Sequence, residues 1–339
     1  MSRYLLLASG AMVLLAAAPS LALPLSPGDR IKVSIPEGDL FNGVYEVNLD
    51  GTLNLPYLDA IPVAGLNPGD IEQKVTQTLV DRKLFNPSFA RTSVQVVEWA
   101  PIQVNVAGAL FQPGRVLINE RNPEARARLT QASGDYPPDR FLTAALRFAG
   151  GVLPTADIQT VKLIRNGQTQ TIDLTSIFQG DSFDDVPLMA GDRIVVEKAV
   201  KPNPELVRPS QITPANVRIF LSNLAQASNA PASKEATPFI YGARFSQAVI
   251  SAGCAGGNAT NAHRRAVLVR TERGTGKTQV YDRPIEELLR KSNDDTANPF
   301  LMPDDGIACY DSKTTNVRGV AETLSTIFSP FSLLFNLFK

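Results

Sequence analysis

The chain repeats itself, and a chain that repeats is constrained to fold as copies of one unit. The repeated signature is a Gly-Asp pair followed by alternating apolar residues. It occurs at Pro27-Gly28-Asp29-Arg30-Ile31-Lys32-Val33 and again at Ala190-Gly191-Asp192-Arg193-Ile194-Val195-Val196. A degraded copy runs Pro303-Asp304-Asp305-Gly306-Ile307-Ala308-Cys309. Each copy predicts a tight turn feeding a strand whose every second residue points inward. In the third copy Cys309 takes the place of Val196, an inward position.

The last two copies close a longer repeat. Phe141-Leu142-Thr143-Ala144-Ala145-Leu146 matches Phe245-Ser246-Gln247-Ala248-Val249-Ile250, each predicting a short helix. Gly150-Gly151 and Gly256-Gly257 follow them, suited to helix C-termini. Strand-like segments come next, Val161 to Arg165 and Val267 to Arg270, each running into a hairpin turn. The turns are Asn166-Gly167 and Arg273-Gly274-Thr275-Gly276, and the return strands are Thr169 to Leu174 and Thr278 to Tyr281. Opening strands precede each unit at Ile102 to Val106 and Val217 to Leu221. The order strand, helix, hairpin, strand implies a small α+β unit used twice. Lys201 to Pro214 carries four Pro and reads as an extended linker between them. Asn229 to Thr237 reads as a loop, and Glu120 to Pro138 as a charged insertion on a unit edge.

The N-terminal block has its own pattern. Tyr45 to Leu49, the turn Asp50-Gly51 and Thr52 to Leu55 predict a β-hairpin. Asn67-Pro68-Gly69-Asp70 caps a helix whose apolar residues Ile71, Val75 and Leu79 stand at helical spacing. Ser93 to Val97 follows as a strand.

Composition excludes most chemistry. Lys+Arg and Asp+Glu are both 33, so binding driven by phosphate neutralisation is not expected. One His and two Cys leave almost nothing for a zinc centre or His-based catalysis, and no enzyme and no cofactor are expected. Gly274-Thr275-Gly276-Lys277-Thr278 resembles the end of a phosphate-binding loop, but Thr271 stands where that loop needs its first Gly. His263 has no nucleophile in a recognisable motif beside it. Asp184-Asp185, Asp294-Asp295 and Asp304-Asp305 lack the spaced ligand series of a calcium loop. Asn258-Ala259-Thr260 fits a glycosylation acceptor, with meaning only in a host that glycosylates this way.

The first 22 residues predict an address rather than a fold element. Arg3 supplies a positive start, Leu5 to Ala18 an apolar run, and Ser20-Leu21-Ala22 a cleavage pattern. No Cys follows that run, so the expected product is exported and not acylated. In an oxidising compartment two Cys are more often a disulfide than a reactive pair, and two buried thiols are the alternative. A Cys254–Cys309 bond would close a loop of about 55 residues.

The order of motifs in the N-terminal block resembles the polysaccharide export sequence domain. It runs Pro27-Gly28-Asp29, Val47-x-x-Asp50-Gly51-x-Leu53-x-Leu55-Pro56, Val63-Ala64-Gly65-Leu66 and Asn86-Pro87. Val106-Ala107-Gly108 with Pro113-Gly114-x-Val116 is similar to the entry of a soluble-ligand-binding β-grasp (SLBB) unit. Together they resemble the outer-membrane polysaccharide export family across nearly the whole mature chain. The resemblance implies residues 1–22 as signal peptide, 23–100 as export domain, and two β-grasp-like repeats at 101–199 and 215–313 joined by 200–214. A C-terminal amphipathic helix at 314–339 completes the α+β architecture. It further implies a ring of subunits (an octamer on the family's pattern), a location in the outer membrane with a large periplasmic portion, and contact with an inner-membrane polysaccharide copolymerase. Many members are lipoproteins, and the missing Cys departs from that pattern.

The C-terminal stretch can be read independently. Leu324, Ile327, Phe328, Phe331, Leu334, Phe335 and Phe338 step by three and four along one helical face. Arg318, Glu322, Ser325, Ser329, Ser332, Asn336 and Lys339 form a polar stripe centred roughly 140° away. About 23 helical residues rise about 34 Å, enough to cross the hydrocarbon core. A lone helix would turn its polar stripe to lipid, whereas a ring would turn it to a wet lumen. The stripe alone leaves open a flat interfacial helix or one packed on its own core; the resemblance favours spanning. On the spanning reading the Phe/Leu face is lipid-facing and the polar stripe lines the pore. The competing function is a periplasmic glycan-binding module with the tail as a surface anchor.

Overall fold

The computed structural model describes residues 23–36, 38–88, 90–124, 134–223, 236–255, 264–271 and 276–311. They fold as mixed α+β, in two compact units. The signal segment, His263, Asn258, Gly256-Gly257 and the whole stretch 312–339 lie outside the described residues.

The first unit comprises Met1–Ala100, Arg121–Pro137 and Val186–Met189. Its strands are β1 (Arg30–Ser34), β2 (Gly43–Glu46), β3 (Thr52–Leu53), β4 (Ile61–Pro62) and β5 (Ser93–Glu98), with α1 (Pro68–Asp81) between β4 and β5. β1 is central in the antiparallel order β2-β1-β5. Its alternation works as the signature predicts: Ile31 and Val33 are buried while Arg30 and Lys32 are exposed. Against that face α1 lays Ile71, Val75 and Leu79, all fully buried. Asn67 begins α1 with a capping box, its side chain accepting from the Asp70 N–H.

The expected hairpin is corrected by the ladder. The Asp50-Gly51 turn does close locally, with the Asn48 N–H donating to the Thr52 carbonyl at 2.8 Å. The two strands then part, β2 pairing with β1 and β3 with β4. Val47 is held from the β1 side by bonds with Asp29 and Gly28, which draws the chain away before a ladder can extend. Asp135 of the charged insertion also has a fixed place within this unit. The Trp99 backbone N–H donates to the Asp135 carboxylate at 2.9 Å, and its indole N–H to the Asp135 carbonyl at 3.1 Å.

The second unit comprises Pro101–Glu120, Pro138–Asp185 and Ala190–Lys339. It holds two sheets of one design. The first contains β6 (Ile102–Gly108), β7 (Gly114–Ile118), β8 (Val161–Arg165), β9 (Gln168–Ile172) and β10 (Arg193–Val196), in the order β7-β6-β10-β8-β9. The second contains β11 (Asn216–Asn223), β12 (Thr237–Ile240), β13 (Arg264–Thr271), β14 (Thr278–Pro284) and β15 (Gly306–Asp311), in the order β12-β11-β15-β13-β14. In each, the last strand enters the middle, parallel to the first and antiparallel to the third. The register sets Val196 opposite Gly108 and Cys309 opposite Asn223, so Cys309 and Val196 are equivalent. Short helices complete the copies: α2 (Leu142–Phe148) and α3 (Ser176–Gln179), then α4 (Phe245–Ser251) and α5 (Ile285–Arg290).

Three details differ from the sequence expectation. The helices align one residue away, Leu142 with Phe245, because their ends are bonded alike. Gly150 and Gly253 donate to the carbonyls of Arg147 and Ile250, and Gly151 and Cys254 to those of Leu146 and Val249. Gly253, at φ +67°, is therefore the residue that ends α4. Thr237 opens the edge strand β12 rather than closing a loop, and each unit has one more strand than the expected order. Lys201 to Pro214 is a packed strap. Leu206, Ile212 and Thr213 are buried, and the Val152 N–H donates to the Ile212 carbonyl at 2.9 Å.

Candidate functional site

The expected tail comes after β15 in the chain, and β15 is held by several restraints. β15 sits in the middle of its sheet with both faces covered, and Asp311 is its last residue. Ile307 and Cys309 enter the core that contains Phe245, Val249 and Leu288. Ala308 and Tyr310 enter a second cluster with Val267 and Val269. Cys309 is bonded to Cys254, which follows the C-terminal turn of α4, with Cα atoms 6.1 Å apart. Both sulfurs belong to fully buried residues. The bond ties a helix end to the central strand two residues before that strand ends.

The signature Asp supplies the next restraint. Asp305 is fully buried at the entry to β15 and takes two bonds from Arg270 of β13, at 2.9 and 2.7 Å. The Met302 backbone N–H donates a third at 2.8 Å. Burial pushes the Asp305 carboxyl upward, and the bonds from Arg270 and Met302 oppose that push. Burial would by itself lower the Arg270 guanidinium, yet the bonds and charge of Asp305 hold it above its ordinary value. The first repeat contains the same pair: Arg165 binds Asp192 through two nitrogens, at 2.9 and 2.6 Å. In the first unit Asp29 plays the part with backbone donors, accepting from Ser26 and Ala100 at 2.7 Å each.

A third restraint holds the other face. Tyr310 donates to Asp282 of β14 at 3.0 Å, and Asp282 is forked by Arg265 of β13. Burial, then the neighbouring Asp282 carboxylate, raises the Tyr310 hydroxyl. These bonds with Asp282 raise the Arg265 guanidinium. Such an arrangement ties the strand to both of its hairpin neighbours. It offers a fixed base for whatever follows residue 311.

Each Asp pair set aside as a calcium site has at least one carboxylate with a structural duty, Asp305 being the one described above. Asp185 takes bonds from the Thr143 N–H and hydroxyl at the start of α2. Asn298 stands in the same place for Ser246 of α4, its side-chain oxygen accepting from the Ser246 N–H and its amide donating to the Ser246 hydroxyl. Asp294 accepts from Thr296 and Ala297, bonds that lower its carboxyl, and Asp295 pairs with Arg244. Among the described residues no group of three or more His, Cys, Asp or Glu could hold a metal ion. Gly276 and Lys277 lie in the connection between antiparallel β13 and β14, so the apparent phosphate loop is a hairpin end. The first unit has an open polar cleft along α1, lined by Glu72, Gln73, Thr76, Gln77, Arg91 and Thr92.

Every residue expected to line a pore or face lipid lies outside the described residues. Among those described, no helix is long and apolar enough to cross a membrane. Arg165, Arg270, Asp282 and Tyr310 were missed as fixing residues. For the first two the signal was available: both repeated strand segments end in Arg, just as both signatures place an Asp before their strand.

Comparison with known proteins shows what the first unit is similar to. Residues 17–97 match the family described as polysaccharide biosynthesis/export protein. That stretch is similar to a polysaccharide export domain. The matched stretch contains β1 to β4, α1 and most of β5, so it coincides with the core built on Ile31, Val33 and α1. The chain is also 28% identical over 184 residues to "EPS I polysaccharide export outer membrane protein EpsA" of Ralstonia nicotianae. The protein of the same name from Ralstonia solanacearum is 27% identical over the same length. Both alignments cover 52% of this chain and 43% of the relative, so the chain spans less than half the length of the curated relatives it matches.

Proposed function

We propose that this chain is a subunit of an outer-membrane translocon that exports capsular or extracellular polysaccharide, without covalent chemistry of its own. The polysaccharide export domain at residues 17–97 carries the reading. The likeness to relatives named for export of a polysaccharide at the outer membrane supports it. In this account residues 1–22 direct export, the export domain and the two β-grasp-like repeats stand in the periplasm, and 314–339 form a helix. A ring of copies brings those helices together. Arg318, Glu322, Ser325, Ser329, Ser332, Asn336 and Lys339 then face water, and Leu324, Ile327, Phe328, Phe331, Leu334, Phe335 and Phe338 face lipid. A long hydrophilic polymer needs a continuous wet path, and a polar stripe repeated around a ring provides one. An inner-membrane copolymerase would deliver the polymer at the periplasmic side.

Thiol labelling tests this reading in a background lacking Cys254 and Cys309. Cys placed at Ser325, Ser329 or Ser332 of the assembled protein should react with hydrophilic thiol reagents. Cys placed at Leu324, Phe331 or Phe335 should be protected by lipid. Equal labelling of the two sets would favour a helix lying flat in the interface.

A further inference from the structure

Tyr57 occupies a turn that its side chain makes costly. The Leu58 N–H donates to the Leu55 carbonyl at 3.2 Å, closing a four-residue turn with Pro56 second and Tyr57 third. Tyr57 has φ +60°, which makes this a type II turn. That third position calls for Gly or Asn, because an L side chain there crowds its own backbone. The other non-glycine residues described with positive φ have local reasons. Asn119, Asn166 and Asp304 tolerate the conformation, and Lys83 follows the end of α1. For a bulky aromatic it is a genuine outlier.

Nothing in the fold compensates. Tyr57 is 81% exposed, so burial does not offset the strain. Its hydroxyl bonds to none of the described residues. A local rule broken without structural gain marks a position kept for function. Two residues on, Asp59 pairs with Arg82 at the end of α1, and both side chains are more than half exposed. An aromatic plane standing in water, near planar charged groups that can bond hydroxyls, suits a sugar. The electron-rich ring face meets the C–H face of a pyranose, and the polar groups meet its edge.

We propose that Tyr57 is a contact for the polysaccharide, its ring stacking on a sugar of the passing polymer. This rests on the export reading above. The test uses the full-length, detergent-extracted protein in native gels containing extracellular polysaccharide purified from the producing strain. Tyr57→Asn and Tyr57→Gly relieve the turn, so each should raise Tm, by roughly 4 °C. Each should also weaken retardation by the polysaccharide about three- to tenfold, while Tyr57→Phe and Tyr57→Trp keep it. Unchanged retardation of Tyr57→Asn would overturn the contact and leave the export reading standing, since that reading is judged by tail labelling and surface polysaccharide. A wild-type protein that is not retarded would overturn it too. A fall in Tm for Tyr57→Asn would overturn it by showing a ring kept for stability. A change in oligomer size with retardation intact would assign the ring to a second copy of the chain.

Discussion

At the scale of single residues, the strand that ends at residue 311 is fixed by covalent and ionic restraints that can be removed one at a time. Non-reduced peptides of the exported protein should contain the Cys254–Cys309 cross-link in mass spectra. Free thiols at both sites in unreduced protein would contradict it. Cys309→Val reproduces the residue of the first repeat, so its cost should be mainly that of the lost cross-link. The chain-entropy model puts that cost at about 4 kcal/mol for a loop of this length. The buried pair behaves differently. Arg270→Met leaves the Asp305 carboxylate buried without its partner and should cost about 3–5 kcal/mol in chemical denaturation. Replacing both with apolar residues should recover much of that loss, because the uncompensated charge is gone. Equal losses in the single and double variants would show that packing, not charge, sets the effect.

Among the elements, the strap between the repeats gives the clearest contrast. A Cβ at Gly151 would stand 2.6 Å from the Pro214 ring carbon, whereas a Cβ at Gly191 meets nothing within 4 Å. Both have φ of +87°. Gly191→Ala should therefore cost only backbone strain, about 1 kcal/mol. Gly151→Ala should cost more and open 201–214 to proteases in limited digestion. Similar cleavage of the two variants would mean the strap is not held by that contact. The strap also shows where sequence reading stops. Its Pro content describes how the chain is stiffened, but burial of Leu206 and Ile212 depends on surfaces distant in sequence. The same limit explains the hairpin at Asp50-Gly51, where the turn is local and legible but β1 competes for the strand before it. By contrast, Ile71, Val75 and Leu79 were legible because helical spacing alone defines their face. The repeat signature was legible for a similar reason. What escaped was the partner of its Asp, since an ion pair between strands leaves no periodic mark, only the recurrence of Arg165 and Arg270.

For the whole molecule, the first unit and the twin repeats account for the described residues, and the membrane claim falls entirely on the tail. The most direct test is surface polysaccharide in a strain that has no paralogue and carries the chain without Val317 to Lys339. The repeats bury their own cores, so the shortened protein should still fold and accumulate near wild-type levels. Phe331→Asp with Phe335→Asp should act like the deletion, since each charge near the bilayer centre costs ~2 kcal/mol or more. The account predicts that surface polysaccharide disappears in both strains while the protein remains in the envelope. Normal surface polysaccharide from the shortened chain would contradict it and favour a periplasmic glycan-binding module.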